Sequence, residues 1–192
     1  MENTFPEIAD LLHSVAIHAD EASYRRLFDI FFPSLNRFTL YFLRSRELAE
    51  EAASDTMIAL WEHREKLAEI DNIRVWLFVI ARNKCFNMLK YRQARSTVPL
   101  DLVPVEINFP ANDPEQICIN SEMRKLMAKA VNTLPQRCKI IFKLVKEEGL
   151  GYNEVADILH ISSRTVDAQL VTAFRKITQS IRLDYAEPTR NF

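Results

Sequence analysis

From Tyr24 to Phe42 the apolar residues recur at steps of three and four: Tyr24, Leu27, Phe28, Phe31, Phe32, Leu35, Phe38, Tyr41 and Phe42. This spacing marks one face of a helix, broken or restarted at Pro33, whose missing amide hydrogen interrupts the ladder. So aromatic a face reads as packed core rather than as a ligand box. A second helix is expected to begin after Ser45, a suitable N-cap, and to run through about Glu65. Glu47, Glu50 and Glu51 sit in its first turns, where the helix dipole favours negative charge. Its apolar residues are Leu48, Ala52, Met57, Leu60 and Trp61, and the opposite face is acidic (Glu51, Asp55, Glu62), suited to solvent or to a protein partner. A third helical segment, Asn72–Arg95, has a stripe of Ile73, Trp76, Leu77, Ile80 and Ala81 at buried spacing. Around it stand Arg74, Arg82, Lys84, Lys90, Arg92 and Arg95, with Trp76, Phe78, Phe86 and Tyr91 interleaved. Cations that track phosphates beside aromatic rings that stack on bases suit single-stranded nucleic acid; the bland reading makes Trp76 and Phe86 core.

The pattern then changes. Between Ser96 and about Ile117 there is no sustained period, and Pro99, Pro104, Pro110 and Pro114 are spaced closely enough to favour extended chain. Beyond it, Thr133-Leu134-Pro135-Gln136 reads as a helix start with Thr133 as N-cap. Cys138, Ile141, Phe142 and Val145 supply the apolar face, and Glu148-Gly149 the stop. Next come a short helix with Val155, Ile158 and Leu159 turned inward, a small Ala156 where helices cross, Ile161 as a plug, and Ser162 as the cap of a further helix. That last helix turns Val166, Leu170, Ala173, Phe174 and Ile177 inward. Its other face presents Arg164, Thr165, Ala168, Thr172 and Arg175, with Gln169 at the edge. Two short helices joined by a tight turn, the second carrying Arg, Thr and Gln, suit the DNA major groove. His160 stands where such turns often have glycine, so a left-handed backbone is expected there.

Composition narrows the class. Only two glycines occur in 192 residues, Gly149 and Gly151, which excludes glycine-rich nucleotide loops and disfavours a β-rich fold. The expected fold is all-α: two small helical domains, residues 5–95 and 118–183, joined by a flexible acidic linker over 96–117, the second domain a helix-turn-helix. No apolar run approaches the length of a membrane span, and the first residues lack the basic-then-apolar order of a signal peptide. Cys85, Cys118 and Cys138 are odd in number and widely spaced, as reduced cytosolic thiols are. No zinc pattern, nucleophile–base set or phosphate loop stands out, so neither an enzyme, a cofactor nor a metal is expected.

Charge sharpens the division. The net charge of −1 conceals seven basic and fourteen acidic residues over 1–72, six basic and none acidic over 73–97, five acidic and none basic over 98–122, and eleven basic against five acidic over 123–183. The two basic blocks fall on the two segments already suited to nucleic acid, so two polyanion-binding surfaces on one chain are expected.

Taken together, residues 20–182 resemble a bacterial RNA polymerase sigma factor of the sigma-70 family, extracytoplasmic-function (ECF) group. Ala49–Trp61 looks like the core-polymerase-binding helix, Ile73–Cys85 like the promoter-melting segment, and Leu134–Lys176 like the fourth conserved region, which binds the −35 element. The twenty or so residues between the halves leave no room for the further folded region of housekeeping sigma factors. The resemblance implies polymerase-core binding through Glu50, Glu51, Asp55, Ile58 and Trp61. It implies −10 contacts through Asn72, Trp76, Arg82, Asn83, Lys84 and Tyr91, with a non-template base flipped into a pocket near Lys66–Asn72. It assigns the −35 element to Arg164, Thr165, Ala168, Gln169, Thr172 and Arg175. The implied partners are core RNA polymerase, promoter DNA and an anti-sigma factor, without direct membrane insertion, in the cytoplasm. The sequence departs from the family's core-binding motif at Ala52, Ala53, Ser54 and Met57, where bulkier aliphatics, glutamine and phenylalanine are usual. A stand-alone helix-turn-helix regulator is the alternative; it accounts for 118–183 and leaves the basic, aromatic 73–95 block without a role.

Overall fold

The structure, a computed structural model, describes residues 4–95 and 117–186, and every regular element among them is helical. The proline-rich linker expected over 96–117 lies, apart from its last residue, outside the described residues. The helices up to Arg95 belong to one unit, and those from Ile117 onward, apart from Asp157–Leu159, to another.

The first unit holds α1 (Thr4–His18), α2 (Glu21–Leu43), α3 (Arg46–Glu62), a 3₁₀ segment (Arg64–Glu69) and α4 (Ile73–Arg95). Local chemistry sets the ends. Asp20 Oδ2 accepts from the Ser23 amide at 2.9 Å to start α2, and hydrogen bonds from Ser23 hold its carboxyl below the usual carboxylate range. Arg44, left-handed at φ 52°, ends α2, and Ser45 Oγ accepts from the Leu48 amide at 3.4 Å to start α3. The helix expected to break at Pro33 runs through it. A mid-helix proline costs about 3 kcal/mol. Pro33 lies on the exposed side, while Leu27, Phe31, Leu35 and Phe38 are buried on the other, each contributing roughly 1.5–3 kcal/mol. Burial wins.

α2 packs on α1, α3 and α4, and α1 also packs on the 3₁₀ segment. Four alanines of α3 (Ala49, Ala52, Ala53, Ala59) are buried, which lets neighbouring helices approach closely. Ala52 sits beside Leu43 and Cys85 in one such contact. The buried Thr39 hydroxyl donates to the Ala49 carbonyl at 2.9 Å, tying α2 to α3. Phe38 meets both Phe42 and Phe78 edge to face at 5.0 Å.

The stripe of α4 is rotated from its expected position. Leu77, Phe78, Ala81 and Cys85 are buried, whereas Ile73, Trp76 and Ile80 are half-buried. Phe78, expected among the base-stacking rings, is 1% exposed and belongs to the core. The Phe38 ring of α2 fixes that rotation.

The second unit holds α5 (Ile117–Asn132), α6 (Gln136–Lys146), α7 (Tyr152–Leu159) and α8 (Ser163–Ala186), with α8 packed on α5 and α6. Thr133 is not the cap of α6. Its hydroxyl donates back to the Ala130 carbonyl at 2.7 Å and closes α5, while Pro135, which needs no partner for an amide it lacks, stands at the start of α6. α6 stops as expected: Gly149 takes φ +66°, and the Leu150 amide turns back to the Leu144 carbonyl at 3.1 Å. The Cys138 thiol donates to the Gln169 carbonyl at 3.2 Å, linking α6 to α8.

Candidate nucleic-acid and polymerase interfaces

The C-terminal site is built by a turn. Glu154 Oε2 accepts from the Gly151 amide at 2.6 Å at the start of α7. The turn out of α7 passes through His160 at φ 51°, the left-handed conformation its sequence position calls for. The Ile161 amide closes on the Ala156 carbonyl at 3.0 Å. Ser162 Oγ then accepts from the Thr165 amide at 3.1 Å and lies 2.8 Å from the Thr165 hydroxyl, so α8 begins with a capped, oriented first turn.

From this turn Arg164, Ala168 and Arg175 are exposed, and Thr165, Gln169 and Thr172 half-buried. The Thr172 hydroxyl donates to the Ala168 carbonyl at 2.9 Å, leaving its oxygen lone pairs to accept. Val166, Leu170, Ala173 and Ile177 are buried, but Phe174, expected inward, is 45% exposed. It touches Phe142 edge-on at 5.8 Å and lies 5.3 Å from Lys146 Nζ, at the margin of the surface where α6 meets α8.

On α4 the Asn72 side chain caps the helix, its Oδ1 accepting from the Val75 amide at 3.1 Å. Trp76 is half-buried, 5.9 Å from the His63 ring. Arg82, expected as an outward cation, is buried at 6% exposed; its Nη2 donates to Asn83 Oδ1 at 2.7 Å, and its guanidinium lies 5.9 Å from the Phe86 ring. Phe86 is 44% exposed and Tyr91 60% exposed. Phe86 therefore joins Tyr91 on the outer face, as the nucleic-acid reading of the sequence had it and against the alternative that made it core. The basic block is not without a counter-charge, as the sequence suggested: Lys84 Nζ meets Asp55 of α3 at 3.4 Å. The side chains of Arg92 and Arg95 lie outside the described residues. Ahead of α4, the 3₁₀ segment buries Leu67 and exposes Lys66 within the stretch expected to form a base pocket.

On α3, Glu50 and Glu51 are exposed, Asp55 is half-buried and Ile58 is 50% exposed. Trp61 is half-buried between the Tyr24 ring at 5.0 Å and the Arg64 guanidinium at 5.1 Å. Ile58 is a single exposed apolar side chain among carboxylates, which is ordinary surface by itself. The departures from the family motif at Ala52, Ala53 and Met57 are all fully buried, so they change helix spacing and not the outer face.

A helical unit with a basic, aromatic helix, followed by a unit with a capped helix-turn-helix, suits a protein that meets nucleic acid at two places. Comparison with known proteins agrees: the family model for sigma-70 region 2 matches residues 27–95, and that for sigma-70 region 4 matches residues 124–177. The ECF RNA polymerase sigma factor RpoE of Cereibacter sphaeroides is 24% identical over 172 residues, covering 88% of this chain and 92% of that one. The RNA polymerase sigma factor NccH of Alcaligenes xylosoxydans xylosoxydans is 24% identical over 178 residues, covering 91% and 95%. In fold, the sigma factor RpoE crystallised with the anti-sigma factor NepR from Bartonella quintana superposes with a TM-score of 0.59 at 21% identity, over 84% of this chain and 98% of that one. CnrH, solved with the cytosolic domain of CnrY, gives 0.58 at 18% identity, over 93% and 99%. The chain belongs to the sigma-70 family, in its ECF group, and serves promoter-directed transcription initiation by RNA polymerase. Among the described residues no helix is long and apolar enough to cross a membrane, and no group of side chains is suited to hold a metal.

Proposed function

We propose that the two units divide promoter recognition between them, residues 5–95 acting on the polymerase core and the −10 element and residues 118–183 on the −35 element, with 96–117 as tether. The observation that carries this reading is the presence, on one chain, of both the exposed Phe86 and Tyr91 rings of α4, beside the half-buried Lys84 and the exposed Lys90, and the capped first turn of α8. In this reading Glu50, Glu51, Asp55, Ile58 and Trp61 dock on a basic surface of core RNA polymerase, where charge complementarity speeds and orients association. Asn72, Trp76, Arg82, Asn83, Lys84 and Tyr91 receive the −10 strand, joined by Phe86. Arg164 and Gln169 reach base edges, Arg suited to guanine and Gln to adenine. Thr165, Ala168, Thr172 and Arg175 contact phosphates or thymine methyls.

Strand opening in this reading draws on binding energy alone. Unstacking a base costs a few kcal/mol, which aromatic stacking at about 1–3 kcal/mol per base and phosphate contacts offset. The protein is a dissociable initiation factor rather than an enzyme, works in the cytoplasm, and is held in reserve by an anti-sigma factor. The anti-sigma partner rests on the complexes in which its structural neighbours were solved. Run-off transcription on genomic fragments with core polymerase plus this protein tests the reading. Defined start sites that appear only when both are present are expected. Tight specific binding to inverted repeats by the protein alone, with no such transcripts, would instead indicate a stand-alone regulator.

A further inference from the structure

The acidic face of α3 meets the cationic face of α4 at Asp55 and Lys84. Asp55 Oδ2 accepts a hydrogen bond from Lys84 Nζ at 3.4 Å, across 29 positions of sequence, with the two side chains 41% and 38% exposed. Glu50, Glu51 and Glu62 of α3 are exposed, as are Asn83 and Lys90 of α4. Asp55 is thus the acidic residue of α3 through which the two faces touch in a described ion pair. The contact is long for a charged hydrogen bond and half in water, so it opens readily when either charge finds a better partner.

We propose that the Asp55–Lys84 pair is a charge latch linking the polymerase-facing surface to the DNA-facing surface. The inference rests on the proposed function, which assigns Asp55 to polymerase and Lys84 to DNA. In the free protein each charge damps the other. A basic polymerase surface that draws Asp55 outward releases Lys84 toward phosphate, and a phosphate that takes Lys84 leaves Asp55 for polymerase. Linkage makes the effect reciprocal, so each partner strengthens binding of the other by the same factor. A pair this exposed sets that factor at about two- to fivefold. The latch thereby discourages the free protein from holding DNA and favours DNA binding once polymerase is engaged.

The test is a titration of core RNA polymerase with the fluorescently labelled full chain at low salt without DNA, comparing wild type, Lys84→Gln, Asp55→Asn, the double variant and Lys90→Gln. Lys84→Gln should bind core about two- to fivefold more tightly than wild type, because Asp55 is released. Asp55→Asn should bind more weakly, and the double variant no more tightly than Asp55→Asn alone. Lys90→Gln, which changes net charge equally on the same helix, should match wild type. Unchanged or weaker binding by Lys84→Gln overturns the latch. So does an equal gain in Lys90→Gln, or a gain that persists in the Asp55→Asn background. These results leave the sigma-factor reading standing; failure of the wild type to bind core at all overturns that reading and the latch together.

Discussion

α4 and α8 both carry arginine, a polar rim and a buried stripe, yet they are built for different tasks. α8 begins at a fixed turn: His160, Ile161 and Ser162 set its entry, and the Ser162 cap orients the turn that holds Arg164 and Thr165. A reader of duplex DNA needs this, because base edges in the major groove are met at fixed positions. α4 has exposed rings instead, Phe86 and Tyr91, and two of its cations are engaged by neighbours, Arg82 with Asn83 and Lys84 with Asp55. A strand that must be unstacked needs faces to stack on more than fixed donors. The difference teaches that the arrangement of caps, rings and counter-charges, and not basic composition, separates reading from melting.

The sharpest way to break the comparison lies within α4, at two phenylalanines eight residues apart. Phe78→Ala removes a ring buried against Phe38 and should destabilise the first unit by about 3–5 kcal/mol, read as an earlier denaturant midpoint. Phe86→Ala should leave that midpoint nearly unchanged and weaken capture of a −10 strand by about 1–3 kcal/mol. If both variants unfold alike, Phe86 is core and α4 has lost its stacking ring. On α8, Arg164→Ala should cost about 1–3 kcal/mol and relax preference at particular −35 bases, measured on a panel of promoter variants. An equal loss on every promoter would make Arg164 a phosphate contact and bring α8 closer to α4 in kind.

A smaller effect separates core from surface chemistry. Burial pushes the Cys85 thiol up to about 12 and raises that of Cys138. A raised thiol keeps its proton in the folded state while the unfolded chain releases it, so this contribution to stability is complete below about pH 9 and fades as pH rises toward 12. In a Cys118→Ser/Cys138→Ser background a thiol reagent at pH 7.5 should label almost nothing until denaturant is added. Rapid labelling of the native protein would show the α3–α4 contact around Cys85 to be loose.

Much of this was readable in the sequence where chemistry is local. Ser45, Ser162, Gly149 and His160 each do in the structure what their neighbours in sequence demand, because a cap or a left-handed turn involves residues within a few positions. Long-range choices were not readable. Pro33 argued for a break, and only the burial of Leu27, Phe31, Leu35 and Phe38 around it overrides that local cost. Phe78 and Phe86 lie about 80° apart around a helix, so periodicity cannot say which falls inside until the Phe38 ring is in place. Phe174 sits at the margin of its stripe for the same reason. The Asp55–Lys84 contact joins residues 29 positions apart, and no spacing rule predicts it. The helix Thr4–His18, ahead of the aromatic face, likewise takes its place through packing on α2 and the 3₁₀ segment.

The most direct test is permanganate footprinting of duplex promoter DNA by polymerase reconstituted with wild type or with a Lys84→Ala/Phe86→Ala variant. Wild type should expose thymines around the −10 element. The variant should bind core polymerase and still protect the −35 element, yet leave those thymines unreactive, with partial recovery on a template already melted at −10. Thymine reactivity equal to wild type on duplex DNA would show that α4 is only a solvated face and that strand opening lies elsewhere.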